Sequence, residues 1–349
     1  RQAWADAVGL VPVASFTASK LRWLGDDEPD HALPPALHEG PRQFRQWSQK
    51  RLLHIEQRAA TPTQPLYHYT GEVALRGILR QQRPWCFSHR HQSDPTEFEY
   101  SLDLGRRALK EGMRSKDFFA QQLCGCLDDM LEHKGLASPF DFYLFSLSRH
   151  RDDLGQWESY GDKQQGFAIG FGLPLLQPIQ PTLNANANEN LHLGRVLYGD
   201  DQTLARHRLV IGKACEIASR VGHKNQAWLK VFRPYPFIRA MAEELLASQF
   251  IWNCLTAKEK KFEPEQEIRG IIMGVSDLFA PYRKTLSDPS RGDRCYIEHP
   301  LDLKAPGHIA EILVGPQATA GAEDMVRALL LAEGFPASIP VVRSTVGKP

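Results

Sequence analysis

Two short stretches of this 349-residue chain carry residue types that could act on a sugar. In Leu66–Tyr67–His68–Tyr69–Thr70, strand alternation turns His68 and Thr70 to one face, an imidazole and a hydroxyl offered to a single ligand. An imidazole can donate to a ribose hydroxyl, and strand backbone such as that of Tyr69 and Thr70 can pair with an amide. Much later, Glu265–Gln266–Glu267 precedes the apolar run 268–273, and alternation sets Glu265, Glu267 and Arg269 on one face of that strand. One carboxylate there can stabilise positive charge on a ribose, and a second can orient or deprotonate an acceptor. The plainer readings are a half-buried strand with a hydrogen-bonded histidine and a charged edge strand.

Between these stretches lie further candidates. Ser146 and Ser148 share one strand face. In Asp152–Gly161, Trp157 and Tyr160 stand three apart on one helix face, where aromatic rings suit a flat ligand such as nicotinamide or adenine, or else anchor the core. Asp94–Pro95–Thr96–Glu97 reads as a helix start, with Asp94 as N-cap, Pro95 at the first position and Glu97 at the third. His89, Arg90, His91, Arg149, His150 and Arg151 could meet phosphates or line solvated loops. No phosphate-binding Walker loop, GxGxxG, HExxH or GxSxG occurs, so phosphate-cradle, zinc-protease and serine-hydrolase chemistry lose their usual support.

The elements that must position these residues follow from periodicity. Strands are expected at 67–70, 85–88, 142–148, 166–171, 268–273, 294–297, 309–314 and 339–342. Helices are expected at 44–58, 71–81, 96–112, 116–133, 203–221, 236–258 and 322–333, with a polar loop at 174–190. Strands thus cluster in two blocks around a helical insertion, about 201–258, which favours α+β over a doubly wound sheet. Pro62 and Pro65 separate a helical N-terminal region, 1–60, from a domain spanning 61–349.

Composition sets outer limits. With 42% apolar and 24% charged residues the chain is expected to form a globule with a sizeable core. A net charge of +1 argues against a uniform field for nucleic acid or an anionic membrane. No apolar run approaches the roughly 20 residues that span a bilayer. The six cysteines form no CxxC pair, so neither a zinc site nor a disulfide framework is expected, and a cytoplasmic setting fits.

Taken together, Leu66–Thr70, Asp94–Phe98, Ser146–Ser148, Asp152–Gly161, the set Lys258, Phe262, Glu265, Glu267 and Arg269, and Ile309–Pro316 resemble an uncharacterised bacterial domain family of unknown function. Arg195–Tyr198 matches that family's strand after the loop, while Ser93 stands for its usual Asn and Ile268 for its usual Trp. That layout is in turn similar to the ADP-ribosyltransferase superfamily. The resemblance implies an ADP-ribosyltransferase-like mixed, split β-sheet core, with the helical N-terminal extension and the helical insertion added to it. It implies NAD as cofactor, nicotinamide release, and transfer of ADP-ribose to a macromolecular acceptor, protein or nucleic acid, or to water, as in a bacterial toxin or defence effector. His68 would hold the adenosine-side ribose, Tyr69 and Thr70 the nicotinamide amide, and Ser146 or Ser148 the catalytic carboxylate. Tyr160, with Trp157, would stack on nicotinamide, Glu267 would stabilise the ribosyl cation, and Glu265 would serve the acceptor. Two other classes stay open: a binding module without chemistry, and a nuclease using Asp94, Glu265 and Glu267 around Mg²⁺ with Lys258 alongside.

Overall fold

The computed structural model describes residues 33, 35–91, 96–134, 140–176, 191–232, 234–288 and 292–347. Asp94 and Ser93, residues 1–32 of the N-terminal region, and 177–190 of the expected loop lie outside the described residues. The strands are β1 (Leu66–Thr70), β2 (Trp85–Ser88), β3 (Phe140–Ser148), β4 (Phe167–Phe171), β5 (His192–Arg195) and β6 (Leu197–Tyr198). They continue as β7 (Ala257–Lys258), β8 (Glu267–Val275), β9 (Lys284–Asp288), β10 (Gly292–Glu298), β11 (Ile309–Val314) and β12 (Val341–Arg343). The main sheet runs β12–β11–β4–β1–β3–β2–β10–β9, with β8 beside β3 and β5 beside β8. Its pairings are antiparallel except for β11 with β12, and β6 and β7 form a separate parallel pair.

One irregularity shapes the molecule. Along one edge β3 pairs with β8 over its whole length, from Phe140↔Val275 to Ser148↔Glu267. Along the other edge it meets β2 at Tyr143 and Leu144, and β1 only at Tyr67↔Ser148. Residues 145–147 of β3 and 68–70 of β1 therefore face each other without a ladder among the described residues. The sheet is open at this point.

Helices cover both faces. Those that build the cores or border the cleft are α1 (Glu39–Arg51), α2 (Glu72–Gln81), α3 (Glu97–Gly112), α4 (Phe118–Lys134) and α5 (Leu154–Ser159). After them come α6 (Asp200–Lys224), α7 (Tyr235–Leu245) and α8 (Ala322–Ala332). Alternation in the central strands splits the core in two. Phe142 and Leu144 of β3, with Ile271 and Met273 of β8, join a core built from α1, α3, α4, α6 and α7. Tyr143, Phe145, Leu147, Ile268 and Ile272 join the core under α2 and α8. The mixed α/β architecture follows the expectation, and the helices at 200–255 fall in sequence between two groups of strands. They complete a layer that α3 and α4 begin.

The N-terminal helix belongs to that layer as well. Phe44 is fully buried in it, and Arg45 donates to the Glu244 carboxylate on α7. Beyond α1 the chain passes through a π turn to Gln57. The Gln57 side chain donates to the Leu193 carbonyl at 2.7 Å and accepts the Leu193 N–H at 3.3 Å, so an amide side chain closes the edge of β5 away from β8. Gly194 beside it allows β5 to lie against the helices, because a Cβ there would stand 2.6 Å from Thr256 Cγ2 and 3.1 Å from Trp252 Cζ2. Gly194→Ala is therefore expected to cost about 1–3 kcal/mol of overpacking strain, read as a lowered urea midpoint with an unchanged slope.

Candidate functional site

The face of β3 that reads Phe142, Leu144, Ser146, Ser148 and the facing set on β8, Glu267, Arg269, Ile271, Met273, turn from apolar to polar at the same level. Where the polar halves begin, the helical cover ends and a cleft of about 1080 Å³ opens beside the gap in the sheet. His68, Tyr69, Thr70, Ser146, Ser148, Tyr160, Glu265 and Glu267 all line it. Segments almost two hundred residues apart thus meet in one place.

The floor of the cleft is a buried ionic cluster. Arg269 donates through Nε to Glu267 Oε1 at 2.8 Å and through Nη2 to Oε2 at 3.0 Å, and also to the Glu97 carboxylate at the start of α3. Lys258 Nζ lies 2.8 Å from Glu267, 2.6 Å from Glu265 and 3.7 Å from Glu97. Burial acts to raise the Glu267 pKa, but Arg269 and Lys258 outweigh it and hold this carboxyl well below the usual carboxylate range. For Glu97 burial wins, and its pKa rises against the pull of the same two cations. Burial likewise opposes the charge on Lys258, yet the three acids around it raise its pKa. Three carboxylates share two cations, so the fully ionised cluster has one negative charge in excess.

Local structure explains how each member arrives. β6 and β7 pair Tyr198 with Lys258, and the Tyr198 hydroxyl accepts the Glu267 N–H at 2.7 Å. Glu265 is not on the strand, contrary to the alternation expected for it. It ends a 3₁₀ turn, Lys260–Glu265, and Gln266 follows with a left-handed φ of 43° before β8 starts at Glu267. Ser148 Oγ donates to the Glu265 carbonyl at 2.8 Å, which fixes the turn. The Glu265 side chain is 16% exposed, whereas that of Glu267 is 4% exposed with both oxygens held by cations.

The Asp152–Gly161 segment divides its roles. Asp153 caps α5 by accepting the Gln156 N–H at 2.9 Å. Asp152 accepts from Trp157 Nε1 at 2.7 Å and from Ser344 Oγ at 2.6 Å. Trp157 is 0% exposed and packs edge-on against Tyr69 at 4.8 Å, so it is a core anchor and does not reach the cleft to stack on a ligand. Tyr160 does reach the cleft, where its hydroxyl donates to Glu265 Oε1 at 2.6 Å. Immediately after Gly161, Asp162, Lys163 and Gln164 carry left-handed φ values of 49°, 51° and 71°. Three such non-glycine residues in a row store strain, and Asp162 and Lys163 form part of the cleft wall.

On the opposite wall, His68 Nδ1 lies 2.9 Å from the Ser146 carbonyl in the open gap, and its ring rests on Phe145 at 4.5 Å. A carbonyl only accepts, so Nδ1 carries the proton. Burial lowers the His68 pKa to about 4, against the pull of this hydrogen bond. The neutral ring therefore presents Nε2 as an acceptor. It can receive a hydrogen bond from a sugar hydroxyl but not donate one, which reverses the expected direction. Tyr69 is buried, with its hydroxyl on the His150 carbonyl at 3.1 Å, and Thr70 is buried at the end of β1.

The sequence pattern named Glu97 only as a capping residue, and placed Lys258 in the family motif and beside the acids of the nuclease alternative without pairing it to Glu267. Here α3 begins at Glu97, and its carboxylate crosses to Arg269. An acid surplus beside a conspicuous Arg was the available signal. Among the described residues no three His, Cys, Asp or Glu side chains are placed to hold a metal ion.

Residues 156–270 match the family described as a protein of unknown function, DUF2971, and a domain of that family is present there. The match takes in Tyr160, Lys258, Glu265, Glu267 and Arg269, while His68 and Glu97 lie outside it. No curated protein matches the chain, and no solved structure does. No helix among the described residues is long and apolar enough to cross a membrane.

The cluster makes two measurable demands. Arg269→Met leaves two buried carboxylates short of a partner and is expected to cost about 3–5 kcal/mol, read by urea unfolding. The depressed Glu267 pKa gives stability that is complete above the unfolded value of about 4.3 and is lost as pH falls through the folded value. Glu267→Gln is expected to flatten the acid limb of the stability–pH profile below pH ~4.3, and an unchanged limb would contradict the assigned pairing.

Proposed function

We propose that the cleft carries NAD-dependent ADP-ribosyl transfer, with water or a macromolecule as acceptor, on a split-sheet scaffold of the ADP-ribosyltransferase type. One observation supports this above the others. A neutral imidazole on β1 and a partly exposed carboxylate before β8 line one cleft where the sheet is open, over a cluster whose three acids outnumber its two cations. Such a surplus favours a ligand group that gains positive charge, as a ribosyl carbon does when nicotinamide departs.

The chain's residues fit a dinucleotide in several respects. At about 1080 Å³ the cavity stands just above the ~300–1,000 Å³ range of small-molecule sites. His68 Nε2 can accept from a ribose hydroxyl, and the edge of β1 that faces β3 beyond Tyr67 can pair with a carboxamide. NAD supplies a glycosidic bond whose leaving group is a neutral, stable amide-bearing ring. Glu265, held by the Tyr160 hydroxyl and by Lys258, is the carboxylate that faces the developing charge. Both its partners would lose part of their hold as the carboxylate turns toward that charge. Glu267, more deeply buried and doubly bound to Arg269, keeps Lys258 and the start of β8 in place. Ser148 holds the Glu265 backbone, and Ser146 contributes its carbonyl to orient His68.

The test follows nicotinamide release from NAD by wild-type protein and by Glu265→Gln, with folding of both verified by circular dichroism. Release by wild type and a loss of roughly 10²–10³-fold in the variant are expected for removal of one charge-stabilising group. Folded wild-type protein that releases no nicotinamide, or a Glu265→Gln variant as fast as wild type, would overturn the reading.

A further inference from the structure

The ionic cluster leaves one carboxylate oxygen without a donor. Glu267 accepts from Arg269 on both oxygens, and Lys258 Nζ stands 2.8 Å from its Oε2. Glu265 accepts from the Tyr160 hydroxyl on Oε1 and from Lys258 on Oε2, each at 2.6 Å. Glu97 accepts from Arg269 on Oε1. Its Oε2 faces Lys258 Nζ at 3.7 Å, beyond hydrogen-bond reach, and takes no hydrogen bond among the described residues. The Glu97 side chain is 7% exposed and lines the cleft. The charged groups that face it are Arg269 and Glu267 from β8 and Lys258 from β7. Three acids gathered around two cations favour uptake of a proton by the acid whose charge is least well met. Donors on both oxygens favour the charged forms of Glu267 and Glu265, whereas Glu97 has an oxygen free to carry a hydrogen. Burial favours the same protonated form of Glu97 against both cations.

We infer that Glu97 carries a proton in the ligand-free protein and gives it up when a ligand brings a positive charge, so that the cleft selects a cationic ring over a neutral one. The inference rests on the proposed dinucleotide chemistry, in which oxidised NAD carries that charge on its nicotinamide ring. On binding, the Glu97 O–H bond breaks, the proton leaves to solvent and the carboxylate keeps its bond to Arg269. Nicotinamide then departs as a neutral ring and the positive charge passes to the ribosyl carbon, so the cluster stays ionised. Attack by the acceptor forms the new bond to that carbon and frees the acceptor's proton, which restores the Glu97 O–H. Hydrolysis thus releases one proton per turnover, as conversion of NAD⁺ and water to nicotinamide and ADP-ribose requires. Glu97 acts through the charge of the cluster, and Glu265 remains the carboxylate that faces the reacting carbon.

Infrared spectroscopy and calorimetry of the full chain test the two halves separately. Ligand-free wild-type protein at pH 7 is expected to show the carbonyl band of a buried carboxylic acid, and Glu97→Gln to lack it. Glutamine keeps the shape of a neutral Glu97, so the variant is expected to unfold near the wild-type urea midpoint at that pH. Carba-NAD, which keeps the cationic ring and resists cleavage, is titrated in buffers of different ionisation heat to count protons. Wild-type protein is expected to release about one proton on binding it, and none on binding NADH, whose ring is neutral. Glu97→Gln is expected to release none, and to lower the preference for carba-NAD over NADH about 10-fold. Because binding expels a proton, wild-type affinity for carba-NAD is expected to rise with pH, up to about 10-fold per unit, until Glu97 ionises in the ligand-free protein. Absence of the carboxylic-acid band, or equal proton counts for carba-NAD and NADH, would overturn the inference. Nicotinamide release without proton exchange would keep the transferase reading and overturn this one. If neither dinucleotide binds, the transferase reading falls, and the infrared band alone decides whether Glu97 holds the proton.

Discussion

The structure turns on the need to neutralise Arg269 inside the protein. A guanidinium at the start of a central strand, packed between two cores, is tolerated only with carboxylates in place around it. Those carboxylates come from α3 and from β8 itself, and Lys258 on β7 joins them to the turn that carries Glu265. Satisfying one buried charge therefore fixes the relative positions of a helix start, two strands and a 3₁₀ turn. Buried ion pairs contribute little net stability when compared with apolar substitutes, but they penalise every arrangement that leaves one member alone. That penalty gives this end of the sheet a defined geometry at a place where its hydrogen-bond ladder is interrupted.

The interruption and the cluster depend on each other. β1 leaves β3 after a single paired position, and the exposed strand edges would ordinarily be a liability. Here His68 bonds the Ser146 carbonyl across the gap, and the α5 segment supports β1 from the other side through Trp157 and Tyr69. Tyr160 then ties α5 to Glu265, so the wall made by β1 and the wall made by β8 are linked through one hydroxyl. The result is a cleft whose polar groups are held by their neighbours before any ligand arrives, an arrangement suited to stabilising charge without reorganisation.

Much of this was legible in the residue pattern, and the failures have physical causes. Alternation in β3 and β8 correctly put Ser146 with Ser148 and Glu267 with Arg269, because both strands are central and their faces are buried differently. It failed for Glu265, since a left-handed residue at Gln266 breaks the two-residue period one step before the strand begins. Helical spacing put Trp157 and Tyr160 on one face but could not say that the indole turns inward to Asp152 while the phenol stays at the surface of the cleft. Glu97 was hidden because a carboxylate at a helix start has an adequate local explanation, and its partner lies 172 positions away. The two-residue strands β6 and β7 have too few residues to show a period, and β5 and β9 carry no apolar alternation of their own. β5 and β9 form on the edges that β8 and β10 offer them, while β6 and β7 pair with each other.

The central claim is that His68 and Glu265 serve one nucleotide from opposite walls of the opened sheet. A crystal structure of Glu265→Gln protein with NAD tests it most directly, since the substitution keeps the shape of the side chain while removing its charge and slowing turnover. The account predicts NAD in the cleft, a ribose hydroxyl donating to His68 Nε2 and the nicotinamide ribose facing residue 265. NAD bound outside the cleft, or inside it with no contact to either residue, would contradict it.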